Sequence, residues 1–386
     1  MTSDLAFTGA RVALGAAVSA RCDVTVRQGR LYFGPSAPPV NLEGHLILPG
    51  LINAHDHLEF NLFPRLGRGP YPNATSWAAD IHRPEESPVR EQLRIPKAAR
   101  LWWGGVKNLA AGVTTVLHHN PYQPEVFGAD FPVRVIERFG WAHSLRFSPD
   151  VAERYAATPS DAPFLIHAGE GSDAVARDEI HQLDAMGVLG PSTVLVHGVA
   201  FDARGFALAR SRGASLVWCP SANQFTLGQT LAREALESAI PIALGSDSAM
   251  TAEGDLLDEL RMARHSVNAA RLYGMVTVDA ARVLKLRSGE GELREGGIAD
   301  LVAVEDRGQS PAEALLDLRP ALVMIGGRVR LVSESLAGRM GLEGWQPLAI
   351  EGRGRWLMDG DVPHFAGRVR EILGEDFRLA GKRVTA

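Results

Sequence analysis

The sequence predicts an α/β protein in which strands and helices alternate along the chain and the strands form a barrel. Two observations support this. Short runs rich in β-branched residues alternate with segments of helical apolar spacing, and polar residues fall where those runs end. Because a barrel assembles its active site from the carboxyl ends of its strands, the polar ends favour a TIM-type (β/α)8 barrel. A doubly wound dinucleotide-binding sheet would carry a G-x-G-x-x-G turn after its first strand, and the sequence has none.

Seven apolar runs give clear strand signals for the eight strands of the barrel. Only 15 residues, SPDVAERYAATPSDA, separate the 140–148 run from the strand that bears His167, so we expect either one very short strand or two merged strands there. Segments with helical spacing lie between them at 178–190, 202–213 and 230–240, and a longer helical stretch with prolines covers 79–112. The seven runs are LPGLINAHDH (48–57), GVTTVLHHN (112–120), GWAHSLRFS (140–148), APFLIHAGEG (162–171), STVLVHGVAF (192–201), ASLVWCPSAN (214–223) and IPIALGSDSA (240–249).

The two ends of the chain differ in pattern from the middle. Residues 1–48 and 291–345 contain short alternating segments with glycine turns, which predict a composite small β-sandwich built from both chain ends. Residues 49–290 are expected to form the catalytic barrel domain. Residues 346–386 are expected to form a C-terminal extension with one helix, in PHFAGRVREILGED.

Composition excludes several classes of protein. The 386 residues carry a formal net charge of −5 without a cluster of lysines and arginines, so we expect no nucleic-acid partner. No apolar stretch is long enough for a membrane span, and the N-terminus lacks the basic start of a signal peptide. Two cysteines predict no disulfide framework. We therefore expect a cytoplasmic protein that acts on a small-molecule substrate, and the sequence leaves a homodimer open.

Two histidines one residue apart follow the first predicted strand. Side chains at i and i+2 of a strand share one face, so His55 and His57 can bind the same metal ion. A lone H-x-H pattern is equally compatible with chance, but His167, His197 and Asp247 also fall at strand ends. Burying unpaired polar or charged side chains is unfavourable. A shared divalent ion would satisfy the set, so the sequence predicts a metal site at this end of the barrel.

The order of these motifs resembles the amidohydrolase superfamily over about residues 5–335. The similarity is greatest to the branch that contains cytosine, guanine and S-adenosylhomocysteine deaminases and the atrazine-type chlorohydrolases. That resemblance implies a metal-dependent barrel with a closing sheet from the chain ends. It rests on LPGLINAHDH, GVTTV, HAGEG, VLVHG, VWCPSANQFTLG, LGSDSA, REGGIADLVAVE and GGRVR.

The resemblance implies a role for each matched position. His55, His57, His167 and Asp247 would bind one divalent metal ion, with Zn expected and Fe as the alternative, and His197 would face the attacking water or the substrate. Relatives with two metals usually bridge them with a carbamylated lysine on a barrel strand. The four lysines of this chain leave residues 108–284 without one, which favours a single ion.

In the same family an H-x-x-E pattern marks deaminases, and here it is His167 to Glu170. A carboxyl group in a dry pocket can protonate a ring nitrogen while hydroxide attacks the adjacent carbon. Asp247 would accept the water's proton and pass it to ammonia. The sequence thus predicts a hydrolase of C–N bonds, most simply an aminohydrolase of an amino-substituted nitrogen heterocycle. Ring opening of a cyclic amide or imidazolone is the nearest alternative. A catalytically silent metal-binding scaffold is a more distant alternative, since it should lack a ligand or base and none is missing.

Four further residues are weaker candidates for substrate contact. Trp77 falls where related deaminases have a pocket wall and could stack on a ring, although core packing explains it equally well. One of His118 and His119 must face inward by strand alternation, and the sequence does not say which. Asn223 is either a ligand hydrogen-bonder or a turn former.

Overall fold

The N-terminal segment forms seven short strands before the barrel begins. A computed structural model describes residues 4–386, so the first three residues of the predicted 1–48 segment lie outside the described residues. The strands are β1 (Leu5–Thr8), β2 (Arg11–Ala13), β3 (Ser19–Arg21), β4 (Val24–Arg27), β5 (Arg30–Phe33), β6 (Pro39–Asn41) and β7 (His45–Pro49).

Eight short strands then follow in the order of a TIM-type barrel. The first three pair in parallel in one sheet and the last five pair in parallel in a second. The last and first strands meet where the backbone N–H groups of Ser246 and Asp247 donate to the His55 carbonyl, at 3.0 and 3.1 Å. The strands are β8 (Leu51–Asp56), β9 (Val113–His118), β10 (Arg134–Val135), β11 (Gly140–Ser144), β12 (Phe164–Ala168), β13 (Thr193–His197), β14 (Ser215–Trp218) and β15 (Ile242–Leu244).

The expectation of a TIM-type barrel is confirmed. One strand is abbreviated, but it lies between β9 and β11 and not after residue 148 as expected, where only α4 separates β11 from β12. Strand β10 has only two residues, and it pairs with Thr115 and Val116 of β9. A two-residue strand has no alternating pattern to detect, which is why the sequence shows seven signals for eight strands.

Helices separate the barrel strands, with some differences from the predicted bounds. Prolines divide the predicted 79–112 stretch into three helices, since proline has no N–H to donate within a helix. Of the predicted 230–240 helix only one turn forms. The helices up to the end of the barrel are α1 (Ala74–Ile81), α2 (Val89–Arg94), α3 (Lys97–Ala110), α4 (Val151–Ala157), α5 (Ala174–Ala185), α6 (Ala203–Arg212), α7 (Pro220–Leu227), α8 (Arg233–Leu236), α9 (Leu256–Ala263), α10 (Ala269–Met275) and α11 (Val278–Val283).

Helices α5 and α6 show how local sequence sets the helix ends. Asp173 and Asp202 each accept hydrogen bonds from backbone N–H groups of the first turn, at 2.9 and 3.0 Å. Helix α6 ends at Gly213 with φ of 76°, a left-handed conformation that glycine adopts without strain.

Strands from the end of the chain complete a sheet with strands from its beginning. Strand β16 pairs with β7, and the ten-stranded sheet runs β21-β22-β19-β20-β18-β17-β16-β7-β2-β3. The remaining elements are β16 (Leu301–Glu305), α12 (Pro311–Leu316), β17 (Leu322–Ile325), β18 (Arg328–Ser333), α13 (Glu334–Ala337), β19 (Gln346–Ile350), β20 (Gly354–Met358), α14 (Val362–Leu373), β21 (Arg378–Leu379) and β22 (Lys382–Thr385).

This sheet packs against the four-stranded sheet β5-β4-β1-β6 around an apolar core that includes Phe7, Leu31 and Met324. The small β-sandwich from both chain ends is therefore present. Strands β19 to β22 continue the same sheet across residue 345, so the predicted domain limits stay a prediction there. Among residues 4–386, no helix has the length and apolarity that crossing a bilayer requires.

Candidate metal and catalytic centre

The barrel brings together all five polar residues predicted at its strand ends. His55 lies on β8 and His57 follows it, while His167 and His197 lie on β12 and β13. Asp247 lies in the turn after β15. Their side chains are buried, with at most 7% of each residue exposed. Donor atoms of His55, His57 and His167 lie within 4.8 Å of one another, and so do those of His55, His197 and Asp247.

The donor atoms of four of these residues have the spacing of metal ligands. Nε2 of His167 lies 3.3 Å from Nε2 of His55 and 3.3 Å from Nε2 of His57. Oδ1 of Asp247 lies 3.7 and 3.8 Å from the same two nitrogens of His55 and His57. Nitrogen ligands about 2.0–2.1 Å from a tetrahedral ion stand about 3.4 Å apart, so the three nitrogens fit such an ion.

The protonation of His167 argues for a cation among these nitrogens. Its Nδ1 lies 2.7 Å from the His143 carbonyl, which can only accept, so Nδ1 carries the hydrogen. Burial, with the neighbouring histidines, lowers the pKa of His167 well below its usual range, so the ring is neutral and Nε2 has one lone pair. One lone pair cannot make hydrogen bonds to both His55 and His57. A cation bound by all three nitrogens resolves the conflict, so the residues present fit a divalent metal ion.

Two residues of the centre hold strained backbone conformations. His197 has φ of 80° and Asp247 has φ of 51°, in the left-handed region that non-glycine residues rarely adopt. Such conformations cost about 1–3 kcal/mol each and persist where the surroundings impose them, which is common at functional sites. Here the bond from Asp247 N to His55 O helps to hold the turn.

The charge state of Asp247 is set by its neighbours. Burial alone would raise its pKa, but the neighbouring imidazoles of His55, His57 and His197 outweigh burial and lower it below the usual range. Its Oδ1 accepts from Ser248 N at 2.7 Å and its Oδ2 from the Thr251 hydroxyl at 3.0 Å. Asp247 is therefore an ionised carboxylate with both oxygens oriented.

Glu170 has the opposite character. It follows β12, with Oε2 3.5 Å from Nε2 of His197 and 14% of its side chain exposed. Burial, with the negative charges of Asp247 and Glu179, raises the pKa of Glu170 well above its usual range. The centre thus holds one ionised and one protonated carboxyl group, an arrangement suited to acid–base work.

A buried cation lies behind the cluster, and sequence reasoning missed it. Lys107 on α3 places Nζ 2.9 Å from Asp56 Oδ2 and 3.0 Å from the Ser246 hydroxyl. It also donates to the Asp247 carbonyl at 3.4 Å. Because Asp56 stands between the two histidines of β8, Lys107 links the carboxyl ends of the first and last barrel strands. A helical apolar pattern gives no sign that one of its lysines points inward.

Only one of the four weaker candidates lines the cavity beside the centre. That cavity has a volume of about 580 Å³, and Trp77 forms part of its wall. His118 turns away, with Nε2 3.4 Å from Glu59, because strand alternation sends it to the other face. Asn223 lies behind His197 and donates from Nδ2 to His197 Nδ1 at 2.8 Å. His119 is buried beside His55, His57 and His167, with a ring nitrogen within 4.8 Å of theirs.

None of His118, His119 and Asn223 lines this cavity, so their substrate contacts stay predictions. His143 does line it, and sequence reasoning gave that residue no role. Its place at the end of β11 was the available signal. The other walls include Phe60, Phe147, Met250 and Glu179.

Comparison with known proteins agrees with this architecture. Residues 133–330 match the model of the amidohydrolase family, so the chain belongs to that family. The resemblance inferred from the motifs and the prediction of a hydrolytic enzyme are confirmed.

Three proteins illustrate what this chain is similar to, one by sequence and two by structure. A 5-methylthioadenosine/S-adenosylhomocysteine deaminase of Syntrophobacter fumaroxidans is 26% identical over 340 residues, covering 69% of this chain and 74% of that protein. The crystal structure of an adenosine deaminase from Xanthomonas campestris with bound zinc superposes with a TM-score of 0.73 at 18% identity, covering 96% and 97% of the two chains. Atrazine chlorohydrolase from Arthrobacter aurescens TC1, complexed with zinc, gives 0.72 at 16% identity, covering 95% and 99%. The two structures support the fold.

Proposed function

We propose that this amidohydrolase releases ammonia from an amino-substituted nitrogen heterocycle. The observation that carries the proposal is Glu170, a largely buried carboxyl group on the cavity wall, three residues after His167 and beside His197. Its raised pKa keeps a proton available near neutral pH. Hydrolysis of a simple amide needs no such acid at a ring nitrogen, whereas attack on an amidine-like ring carbon does.

We propose a single Zn²⁺ ion in the centre, held by His55, His57, His167 and Asp247. Three neutral nitrogens and one carboxylate suit this ion. When bound, such an ion supplies a hydroxide nucleophile near neutral pH.

The chain's own residues would then move the protons. Glu170 donates its proton to the ring nitrogen next to the attacked carbon, as negative charge develops there. Asp247, ionised and oriented by Ser248 and Thr251, accepts the proton of the attacking water and transfers it to the departing amine. As the C–N bond breaks and the carbonyl forms, the proton that remains on the added hydroxyl group returns to Glu170.

His197 would orient the reacting oxygen as a neutral donor. Burial lowers its pKa to about 3. Asn223 donates to Nδ1, so the ring hydrogen lies on Nε2, which faces the side of the cavity where Glu170 lies.

The cavity supports a planar substrate of nucleobase size or larger. Its volume of about 580 Å³ lies in the range of small-molecule sites, and its wall includes the aromatic rings of Phe60, Trp77 and Phe147. The deaminase names of the relatives favour purine nucleosides for the first assays.

The test is ammonia release by the Zn²⁺-loaded enzyme across aminopurines, their nucleosides, aminopyrimidines, aminotriazines and pterins, with ring absorbance followed in parallel. We expect ammonia from at least one compound. Glu170→Gln should keep the metal and lose turnover by about 10²–10⁴-fold. Glu179→Gln is the matched control, because Glu179 lies on the same wall and the glutamine amide still accepts from Gly169 N. It lowers the pKa of Glu170 without removing that acid, so turnover should fall much less than in Glu170→Gln. Loss of ring absorbance without ammonia would indicate ring opening instead.

A further inference from the structure

His119 lies beside His55, His57 and His167 but is not one of the ligands proposed above. It follows β9 and is fully buried, with 0% of its surface exposed. Its ring centroid is 4.4 Å from that of His167 and 5.0 Å from that of His55. One of its ring nitrogens lies within 4.8 Å of ring nitrogens of His55, His57 and His167.

The hydrogen bonds of His119 leave one nitrogen free. Nε2 lies 3.1 Å from the Ala142 carbonyl. A carbonyl only accepts, so Nε2 carries the hydrogen and Nδ1 has a lone pair. Among residues 4–386, Nδ1 has no hydrogen-bond partner although it is buried. An unpaired buried acceptor costs about 1–3 kcal/mol, so a fully buried one calls for a partner that the protein itself does not provide.

The second nitrogen of His167 is accounted for differently. Nδ1 of His167 donates to the His143 carbonyl at 2.7 Å. This bond leaves Nε2 of His167 for the metal. In His119 the relation is reversed, since Nε2 is bonded to protein and Nδ1 is left.

We propose that His119 is a further ligand of the metal centre and binds the ion through Nδ1. The donor set then becomes four imidazoles and one carboxylate instead of three imidazoles and one carboxylate. This set of five donors exceeds four-coordination before any water binds. It suits an ion that accepts five or six ligands at least as well as it suits Zn²⁺. The inference rests on the metal centre of the proposed function and not on its substrate.

The alternative is that His119 only joins two strands, since its bond to Ala142 ties β9 to β11 across the two-residue β10. Two substitutions separate the roles. His119→Gln keeps an N–H near Nε2 for the Ala142 carbonyl and has no group at Nδ1. His119→Asn keeps a polar group near Nδ1 and loses the bond to Ala142.

The experiment measures metal binding and not turnover. Metal-free wild type and both variants are titrated with Zn²⁺ and Co²⁺ in competition with a chromophoric chelator, and folding is checked by circular dichroism. We expect His119→Gln to weaken binding by more than about 100-fold, beyond the 10–100-fold loss typical of removing a group that only supports a ligand. His119→Asn should lose less. Visible absorption of bound Co²⁺ should rise in His119→Gln, because a lower coordination number intensifies it. Wild-type affinity and absorption in His119→Gln would overturn the proposal, as would a larger loss in His119→Asn.

If the variants fold poorly, a second measurement on the wild-type protein tests whether His119 binds the metal. In Co²⁺-loaded wild type, each imidazole ligand contributes one exchangeable ring N–H proton with a large paramagnetic shift. Four ligating histidines predict four such resonances, and three would overturn the assignment. Because neither measurement uses a substrate, a failure to find deaminase activity would leave this result intact.

Discussion

Removing the Lys107 ammonium should destabilise the protein substantially. Nζ lies 2.9 Å from Asp56 Oδ2, and 2% of the lysine side chain and none of the aspartate side chain are exposed. At an effective dielectric constant of about 20, the gross attraction at that distance is about 6 kcal/mol. Breaking a buried pair by removing one partner costs about 3–5 kcal/mol net.

We expect Lys107→Met to fall at the lower end of that range, a loss of about 3 kcal/mol in the free energy of unfolding. The reason is that neutral donors still surround the Asp56 carboxylate and partly compensate the lost charge. They are the side chains of Asn53, Asn61, Asn108 and Ser246.

The assay is equilibrium unfolding in urea of the metal-free protein, so that metal binding does not contribute. Lys97→Met is the matched control on the same helix, because Lys97 is 44% exposed and 3.8 Å from Glu59. It should change stability by less than about 0.5 kcal/mol. The double variant Asp56→Asn/Lys107→Met should recover about 2 kcal/mol relative to the sum of the single changes. A loss below about 1 kcal/mol in Lys107→Met, or strict additivity, would refute the reasoning.

Three further predictions concern buried polar residues. Burial raises the pKa of Glu259 to about 8. The folded protein therefore keeps a proton that the unfolded chain loses, so stability should fall from about pH 5 to about pH 8, and Glu259→Gln should flatten that fall in melting temperature against pH. Arg353 donates to Asp255 at 2.6 Å within a buried pair, so Arg353→Met should cost about 3 kcal/mol in urea unfolding. Asn223→Leu removes the bond that sets the hydrogen of His197, so kcat should fall about 10–100-fold with metal content unchanged.

Much of the centre could be predicted because the sequence shows where each strand ends, at a polar residue after an apolar run. In a parallel barrel a polar residue that closes an apolar run lies at the catalytic end, whatever the intervening helices do. His55, His167 and His197 therefore came together as expected, and Asp247 joined them through the turn after β15.

The residues that were missed have partners far away in the sequence. Lys107 lies in a helix whose lysine would ordinarily be solvent-exposed. Its burial depends on Asp56 at the end of β8 and on Ser246 in the turn after β15. Asn223 looked like a substrate contact because it follows a barrel strand, but the turn of α7 directs it at His197. Neighbours along the chain cannot reveal such contacts.

The C-terminal region shows the same limit. Strands β19 and β20 each have an alternating burial pattern, but they are five residues long and interrupted by proline and glycine. Their place in the sheet depends on the pairing of β20 with β18 and of β19 with β20, which the local pattern does not indicate.

The pairing of β7 with β16 also constrains how the chain can fold during synthesis. Pro49 pairs with Leu301, about 250 residues later. At roughly 5–20 residues per second, the ribosome needs roughly 10–50 s to make the second strand after the first. Throughout that time Leu46, Ile47 and Leu48, fully buried in the finished protein, have no partner strand from the other end of the chain. Because β2 can pair with only one edge of β7, the nascent chain presents an apolar strand with one unpaired edge that a chaperone could bind, and slow synthesis prolongs its exposure.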